Sequence, residues 1–316
     1  MASAALSMQF WRSRGALTSF LGHRFVGGIS ATAPRAGDEH RRNWSAEGRA
    51  SIHGEAGKDN AAVCLVQGAS RGLGLEFVRQ LLSRENDSNI IATCRNPEAA
   101  EKLNALKEQF PQRLSILPLD VTIESSIEAA AKEVNSSHGR LDLLVNTAGI
   151  LHVADVVQPE TSISRLNLQS MLLTYQINAA GPILVTKHMW SLLKAGRGRD
   201  TGKAPAVVAN LSARVGSIGD NQTGGWYSYR ASKSALNQLT KTASLESARQ
   251  RASIVCILLH PGTVDTDLSK PFQRNVPQGK LFTPEYSVER LLGIIDKAQL
   301  SDNGKFFAWD GQEIPW

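Results

Sequence analysis

At 316 residues, 42% of them hydrophobic and 20% charged, the chain has room for one large α/β domain plus a tail. No run approaches the ~18–20 uninterrupted apolar residues that a membrane-spanning helix needs, so no membrane span is expected. Half of the formal charge of +6 sits in residues 1–60, and the rest shows no basic stripe with interleaved aromatics, which argues against a nucleic-acid partner.

Met1 to Gly37 contains Arg12, Arg14, Arg24 and Arg35 and no acidic residue, with serine, alanine and apolar residues between. That is the composition of an organelle transit peptide. The arginines interrupt any apolar centre a secretory signal would need, and their repetition favours the mitochondrion over the chloroplast. Residues 38–60 turn polar and Gly/Ala-rich, as a linker does. The expected organisation is therefore a transit peptide and linker over 1–60 and one domain over 61–316.

From Ala61 short apolar runs alternate with amphipathic stretches. Strands are expected at Ala62–Gln67, Asn89–Thr93, Leu114–Leu119, Leu141–Asn146, Ala206–Leu211, Ile254–Leu259 and Gly304–Ala308. Helices are expected at Gly72–Glu85, Pro97–Gln109, Ile123–Ser136, Leu168–Lys194, Tyr229–Ser247 and Pro284–Ala298. Continuous apolar strands separated by helices imply a parallel sheet covered on both faces, a single doubly wound Rossmann-type α/β domain. Such a fold binds ligands at the carboxyl ends of its strands. Cys64, Cys94 and Cys256 fall in strand-like runs without metal spacing, which reads as buried structural thiols in a reducing compartment.

Directly after the first strand comes Gly68-Ala-Ser70-Arg71-Gly72-Leu73-Gly74, and a helix follows at once. Glycines there permit a tight turn and close approach of a pyrophosphate, and the helix N-terminus supplies unsatisfied N–H groups for it. The second strand ends in Cys94-Arg95-Asn96, without the acidic residue that would hold an adenosine ribose in an NAD-binding version. Arg95 and Arg71 instead suit a 2′-phosphate, so NADP(H) is favoured over NAD(H). Asp120-Val121-Thr122 and Asn146-Thr-Ala148-Gly149 close the next two strands. Spacing alone does not separate a nucleotide contact there from ordinary turn chemistry.

The strongest local signal is Tyr229-Arg-Ala-Ser-Lys233. Residues four apart share a helix face, so the phenol and the ammonium project together. A phenol of ordinary pKa near ~10 exchanges protons poorly at neutral pH, and a neighbouring cation is expected to draw it down.

With the glycine loop and the strand-end asparagine, this pair resembles the short-chain dehydrogenase/reductase family, and the resemblance runs from Ala61 to Trp316. It is closest to Sniffer-like and C-factor-like carbonyl reductases, through Cys94-Arg95-Asn96-Pro97, Gly216-Ser217-Ile218 and the terminal Trp309-Asp-Gly311-Gln-Glu-Ile-Pro-Trp316. The resemblance implies an oxidoreductase that moves a hydride between NADP(H) and a carbonyl or alcohol substrate. Tyr229 would be the proton donor, Lys233 would hold the nicotinamide ribose and tune Tyr229, and Asn178 would anchor a proton-relay water. It also implies nucleotide contacts from the glycine loop, Asp120, Val121, Asn146, Ala148, Gly149 and the Pro261-Gly262-Thr-Val264-Asp-Thr266 loop. Pairing of two copies through helices 168–194 and 229–247 is a further implication.

Two positions depart from the pattern. Gln67 stands where threonine is usual. The substrate-polarising serine, three residues before Gly216, is replaced by Ala213. Ser212 or Ser217 would have to be turned into its place, and Ser212 is the expected substitute. The same gap leaves a second reading, an NADP(H)-binding sensor or scaffold without catalysis.

Overall fold

The computed structural model describes residues 61–84, 87–197 and 204–316. The chain divides into two units, Met1–His53 and Gly54–Trp316, and every described residue belongs to the second. The segment expected to target an organelle lies outside the described residues.

The alternating pattern folds as the hydrophobic periodicity requires. The first half runs β1 (Val63–Gln67), α1 (Gly72–Ser83), β2 (Asn89–Cys94), α2 (Glu101–Gln109), β3 (Leu114–Pro118), α3 (Glu124–His138) and β4 (Leu143–Asn146). The second half runs α4 (Leu168–Tyr175), α5 (Gly181–Lys194), β5 (Ala206–Leu211), α6 (Tyr227–Arg249), β6 (Ile254–His260), two short strands β7 (Thr263–Val264) and β8 (Leu281–Phe282), α7 (Pro284–Ile295) and β9 (Phe306–Ala308). Seven strands form one parallel sheet in the order β3-β2-β1-β4-β5-β6-β9. The order reverses between β1 and β4, which opens a crevice at their carboxyl ends.

Strand residues alternate between two apolar layers. On one side Val66, Ala92, Val145 and Ile257 pack with Phe77 and Leu81 of α1 and with Val288 and Leu291 of α7. On the other, Leu65, Leu144, Val208 and Cys256 pack with Ile127 and Val134 of α3 and Val185 and Met189 of α5. Both faces being covered is why these strands read as unbroken apolar runs. Thr283 caps α7 through the N–H of Tyr286, and Pro284 takes the first helical position, where its missing N–H costs nothing. All three cysteines are free and buried, and burial pushes the Cys64 and Cys256 thiols up to about 12.

Several element ends shift, as at α2, which begins at Glu101 rather than Pro97, and two of the differences have a clear physical cause. The helix expected over 168–194 is interrupted by a π-turn at Gln176–Ala180. Pro182 lacks the N–H that a regular α-helix would donate to the carbonyl of Asn178, so the ladder must rearrange there. The fourth strand starts at Leu143 rather than Leu141, because the Leu141 N–H turns to the carbonyl of Leu192 (3.0 Å).

Candidate active site

The glycine loop joins β1 to α1 by an unusually close backbone contact. A Cβ placed on Gly74 would sit 2.3 Å from the carbonyl oxygen of Gly68 and 2.6 Å from Thr147 Oγ1. One on Gly68, at φ +86°, would sit 2.8 Å from the amide of Ala148. Only glycine fits either place, and the contact aims the first amides of α1 into the crevice. Arg71 precedes that helix with no side-chain cap, and the first turn holds no acidic residue, so its positive end stays available to an anion.

Thr147, which was not expected at the site, holds this turn together. Its hydroxyl donates to the carbonyls of Gln67 (2.7 Å) and Gly68 (3.2 Å). Gln67 is explained by the same region: its Oε1 accepts from the Ala148 N–H at 3.2 Å, bridging β1 to the loop after β4. Asn146 lies beneath, buried, and its Nδ2 donates to Asn210 Oδ1 (2.8 Å), whose own amide donates to Thr240 Oγ1 (2.8 Å). This polar thread ties β4, β5 and α6. Asn210 and Thr240 look like ordinary residues of a strand and a helix in the sequence, and no local signal marks them.

On the adenosine side, Asp120 Oδ1 accepts from the N–H (2.9 Å) and hydroxyl (2.7 Å) of Thr122, fixing the turn that begins with Val121. Arg95 is exposed at the end of β2 and has no ion-pair partner among the described residues. Arg71 is also exposed and stands 3.8 Å from Asp267, an exposed pair of little energetic weight. Ser70 and Leu73 are half-buried in the glycine loop, and Leu73 packs against the core. The loop after β6 folds over this region: Thr266 Cγ2 comes within 3.6 Å of where a Cβ on Gly72 would stand. Pro261 accepts from Ser287 Oγ (2.8 Å), Gly262 turns at φ +79°, and Val264 in β7 pairs with β8.

Tyr229 and Lys233 share one face of α6, both buried, with the ammonium 5.8 Å from the phenol ring centre. Lys233 Nζ donates to the carbonyl of Leu211 at 2.8 Å. Asn178 approaches Lys233 at Gly149: a Cβ on Gly149 would lie 3.3 Å from Asn178 Oδ1 and 3.5 Å from Lys233 Nζ. The Asn178 side chain makes three hydrogen bonds. Oδ1 accepts from the Ile150 N–H (2.7 Å), and Nδ2 donates to the Ile150 carbonyl (2.8 Å) and to Ser232 Oγ (3.0 Å). Its amide therefore clamps the loop after β4.

Two expectations need correction. Burial pushes the Tyr229 phenol up to about 12 and Lys233 down to about 8, so desolvation outweighs the downward pull expected on the phenol. Tyr229 thus holds its proton at neutral pH. Second, Ser212 does not replace the missing serine. Its hydroxyl donates to Asn237 Oδ1 at 2.6 Å, eight residues and about 12 Å of helix rise beyond Tyr229. The strand stays extended through Ala213, so no early turn brings Ser212 round. Ser217 is buried and caps a local turn through the Asp220 N–H (3.1 Å).

The lysine has a thermodynamic consequence. Its folded value lies below the unfolded one, so the unfolded chain binds the proton more tightly and the burial penalty fades as pH rises from about 8 toward 10.5. Wild type should gain about 2–3 kcal/mol relative to Lys233→Met across that interval, read by urea denaturation of both proteins. A difference independent of pH would mean that Lys233 is not desolvated in the folded chain.

A phosphate cradle at a switch point, with a buried tyrosine and lysine one turn apart, defines a nucleotide-dependent oxidoreductase centre. The chain belongs to the short chain dehydrogenase family, which it matches over residues 62–277. An NADPH-bound carbonyl reductase from chicken fatty liver is 34% identical, covers 81% of this chain and 98% of its own, and superposes with a TM-score of 0.72. The carbonyl reductase Sniffer of Drosophila melanogaster is 30% identical over 81% of this chain and 99% of its own, with a TM-score of 0.71. An uncharacterised oxidoreductase of Schizosaccharomyces pombe is 31% identical over 264 residues, 80% of this chain and 98% of that one.

Proposed function

We propose that the protein is an NADP(H)-dependent carbonyl reductase. The observation that carries this reading is the placing of Tyr229 and Asn178 about Lys233, whose Nζ lies 5.8 Å from the phenol ring centre and, with Asn178 Oδ1, beside Gly149. The residues fit the nucleotide: a backbone cradle too close for any Cβ, an uncapped helix N-terminus, and two exposed arginines at its mouth. Gly68 to Gly74 would hold the pyrophosphate, Arg71 and Arg95 a 2′-phosphate, and Lys233 the ribose beside Tyr229. When bound, NADPH supplies the hydride.

The chain's own part is protonic and geometric. Tyr229, protonated at neutral pH, gives its proton to the substrate oxygen. Lys233 stabilises the charge left on the phenolate, and the Asn178 carbonyl anchors the water that restores the proton. The likeness to an NADPH-bound carbonyl reductase supports the same reading. The test is NADPH oxidation by the purified chain with a panel of ketones and aldehydes. Nucleotide binding without turnover of any of them would favour the sensor reading, which rests on the hydroxyl missing at Ala213.

The arginines set the choice of nucleotide. Replacing both Arg71 and Arg95 by alanine should raise KM for NADPH about tenfold or more and leave that for NADH unchanged. Equal effects on both cofactors would remove the 2′-phosphate assignment. The acid-free N-terminal segment supports import into an organelle, the mitochondrion by preference. Leu168, Leu172 and Tyr175 form an exposed apolar face on α4, which supports pairing of two copies through that helix.

A further inference from the structure

Four rings from three parts of the chain form one wall that ends at the Tyr229 phenol. Trp226 stands edge-on to Tyr229, with ring centres 6.2 Å apart. Phe272, in the 3-10 turn Lys270–Asn275, tilts against Trp226 at 5.3 Å. His152, in the loop after β4, stands edge-on to Phe272 at 5.8 Å. Trp226, Phe272 and His152 are all only half-buried, so each keeps part of its surface open to solvent.

The wall is built at a cost. Trp226 adopts a left-handed backbone (φ 51°, ψ 43°), which bulky residues rarely take. It is held there by Glu160, a buried residue in the segment after β4. The Glu160 carbonyl accepts from the Trp226 N–H at 2.6 Å. The Glu160 carboxylate accepts from the Ser228 N–H (3.1 Å) and from the Ser228 hydroxyl. Backbone strain maintained by a buried carboxylate, one turn before Tyr229, points to a placed ring rather than to core filling.

His152 supplies the polar feature of the wall. Its Nδ1 is sealed from solvent without a partner, and Nε2 has none among the described residues. An unpartnered buried nitrogen is better tolerated as a lone pair than as an N–H, which puts the proton on Nε2. Ser212 and Ser217 are committed elsewhere and Ala213 has no hydroxyl, so this N–H, with the indole N–H of Trp226, is an uncommitted donor on the wall.

Building on the carbonyl-reductase reading, we propose that the site selects carbonyl compounds carrying a flat aromatic body. Trp226 and Phe272 hold the ring, and Nε2–H of His152 donates to a second acceptor on it. A saturated ring of equal size fills the same space without the ring–ring attraction. The two contacts together are expected to give an aromatic preference of about tenfold, and the hydrogen bond about tenfold more.

Unreactive probes separate this from catalysis. With the full chain and NADP+, calorimetry should show benzamide binding about tenfold tighter than cyclohexanecarboxamide, and terephthalamide about tenfold tighter again. Phe272→Leu or Trp226→Leu should erase the first difference, and His152→Phe only the second. Retained NADP+ binding shows that each variant is folded, and Phe272→Leu suffices should Trp226→Leu not fold. Equal binding of the two monoamides, or a preference that the leucine variants leave unchanged, overturns the proposal even if carbonyls are reduced. The expected binding pattern with no carbonyl turned over would instead remove the reductase reading and leave the aromatic site standing.

Discussion

Tyr229→Phe should lower kcat for carbonyl reduction by about 10²–10⁴-fold while nucleotide affinity is unchanged. The phenol is buried and holds its proton, with a value pushed up to about 12, and in the proposed reaction its hydroxyl is the proton source, with Lys233 Nζ 5.8 Å from the ring centre. Phenylalanine keeps the ring and its edge-on contact with Trp226 and removes only the O–H. Fold and cradle should therefore persist, as a thermal melt and an NADPH titration would show. Full reductase activity in that variant would refute the assignment, and loss of nucleotide binding would show that the hydroxyl is structural.

Gly74→Ala should be the most damaging single-methyl change in the cofactor cradle. The added carbon would meet the Gly68 carbonyl oxygen at 2.3 Å and Thr147 Oγ1 at 2.6 Å, and the first of these is backbone. A backbone contact cannot swing away as a side chain does, so α1 must move off β1. A loss of about 3 kcal/mol is expected, at the upper end of the overpacking range. Tm should drop by roughly 6–12 °C, and NADPH affinity should drop with it as the α1 amides shift. By contrast Gly293→Ala has open space around the new methyl and should do neither. Equal behaviour of the two variants would mean that the cradle is not as tight as described.

Much of the site was legible because its parts are local. The glycine loop follows a strand and opens a helix within seven residues, and Tyr229 and Lys233 lie one helical turn apart. The exposed place of Arg95 was readable because it follows directly on the end of β2. The parts that could not be read join distant segments. Thr147 reaches back to Gln67, Asn210 bridges Asn146 and Thr240, and Glu160 fixes Trp226 from 66 residues away.

Ser212 shows where local counting fails. Its nearness in sequence to the missing serine suggested a substitute, but strand alternation is strict until the chain turns. The turn begins only after Ala213, so the hydroxyl stays on the Asn237 side. The lysine's effect on the phenol was misjudged for a related reason. Charge proximity is visible in a helical spacing, whereas desolvation depends on everything packed around the pair.

The sequence by itself determined the layered fold, the glycine turn between β1 and α1 and the placing of Tyr229 and Lys233 one helical turn apart, because hydrophobic period, glycine spacing and helical pitch are properties of short stretches. Only the tertiary structure decided the protonation of that pair, the redirection of Ser212 and the ring wall from Tyr229 to His152. Each of these depends on burial or on contacts between residues far apart in the chain, which no local pattern encodes.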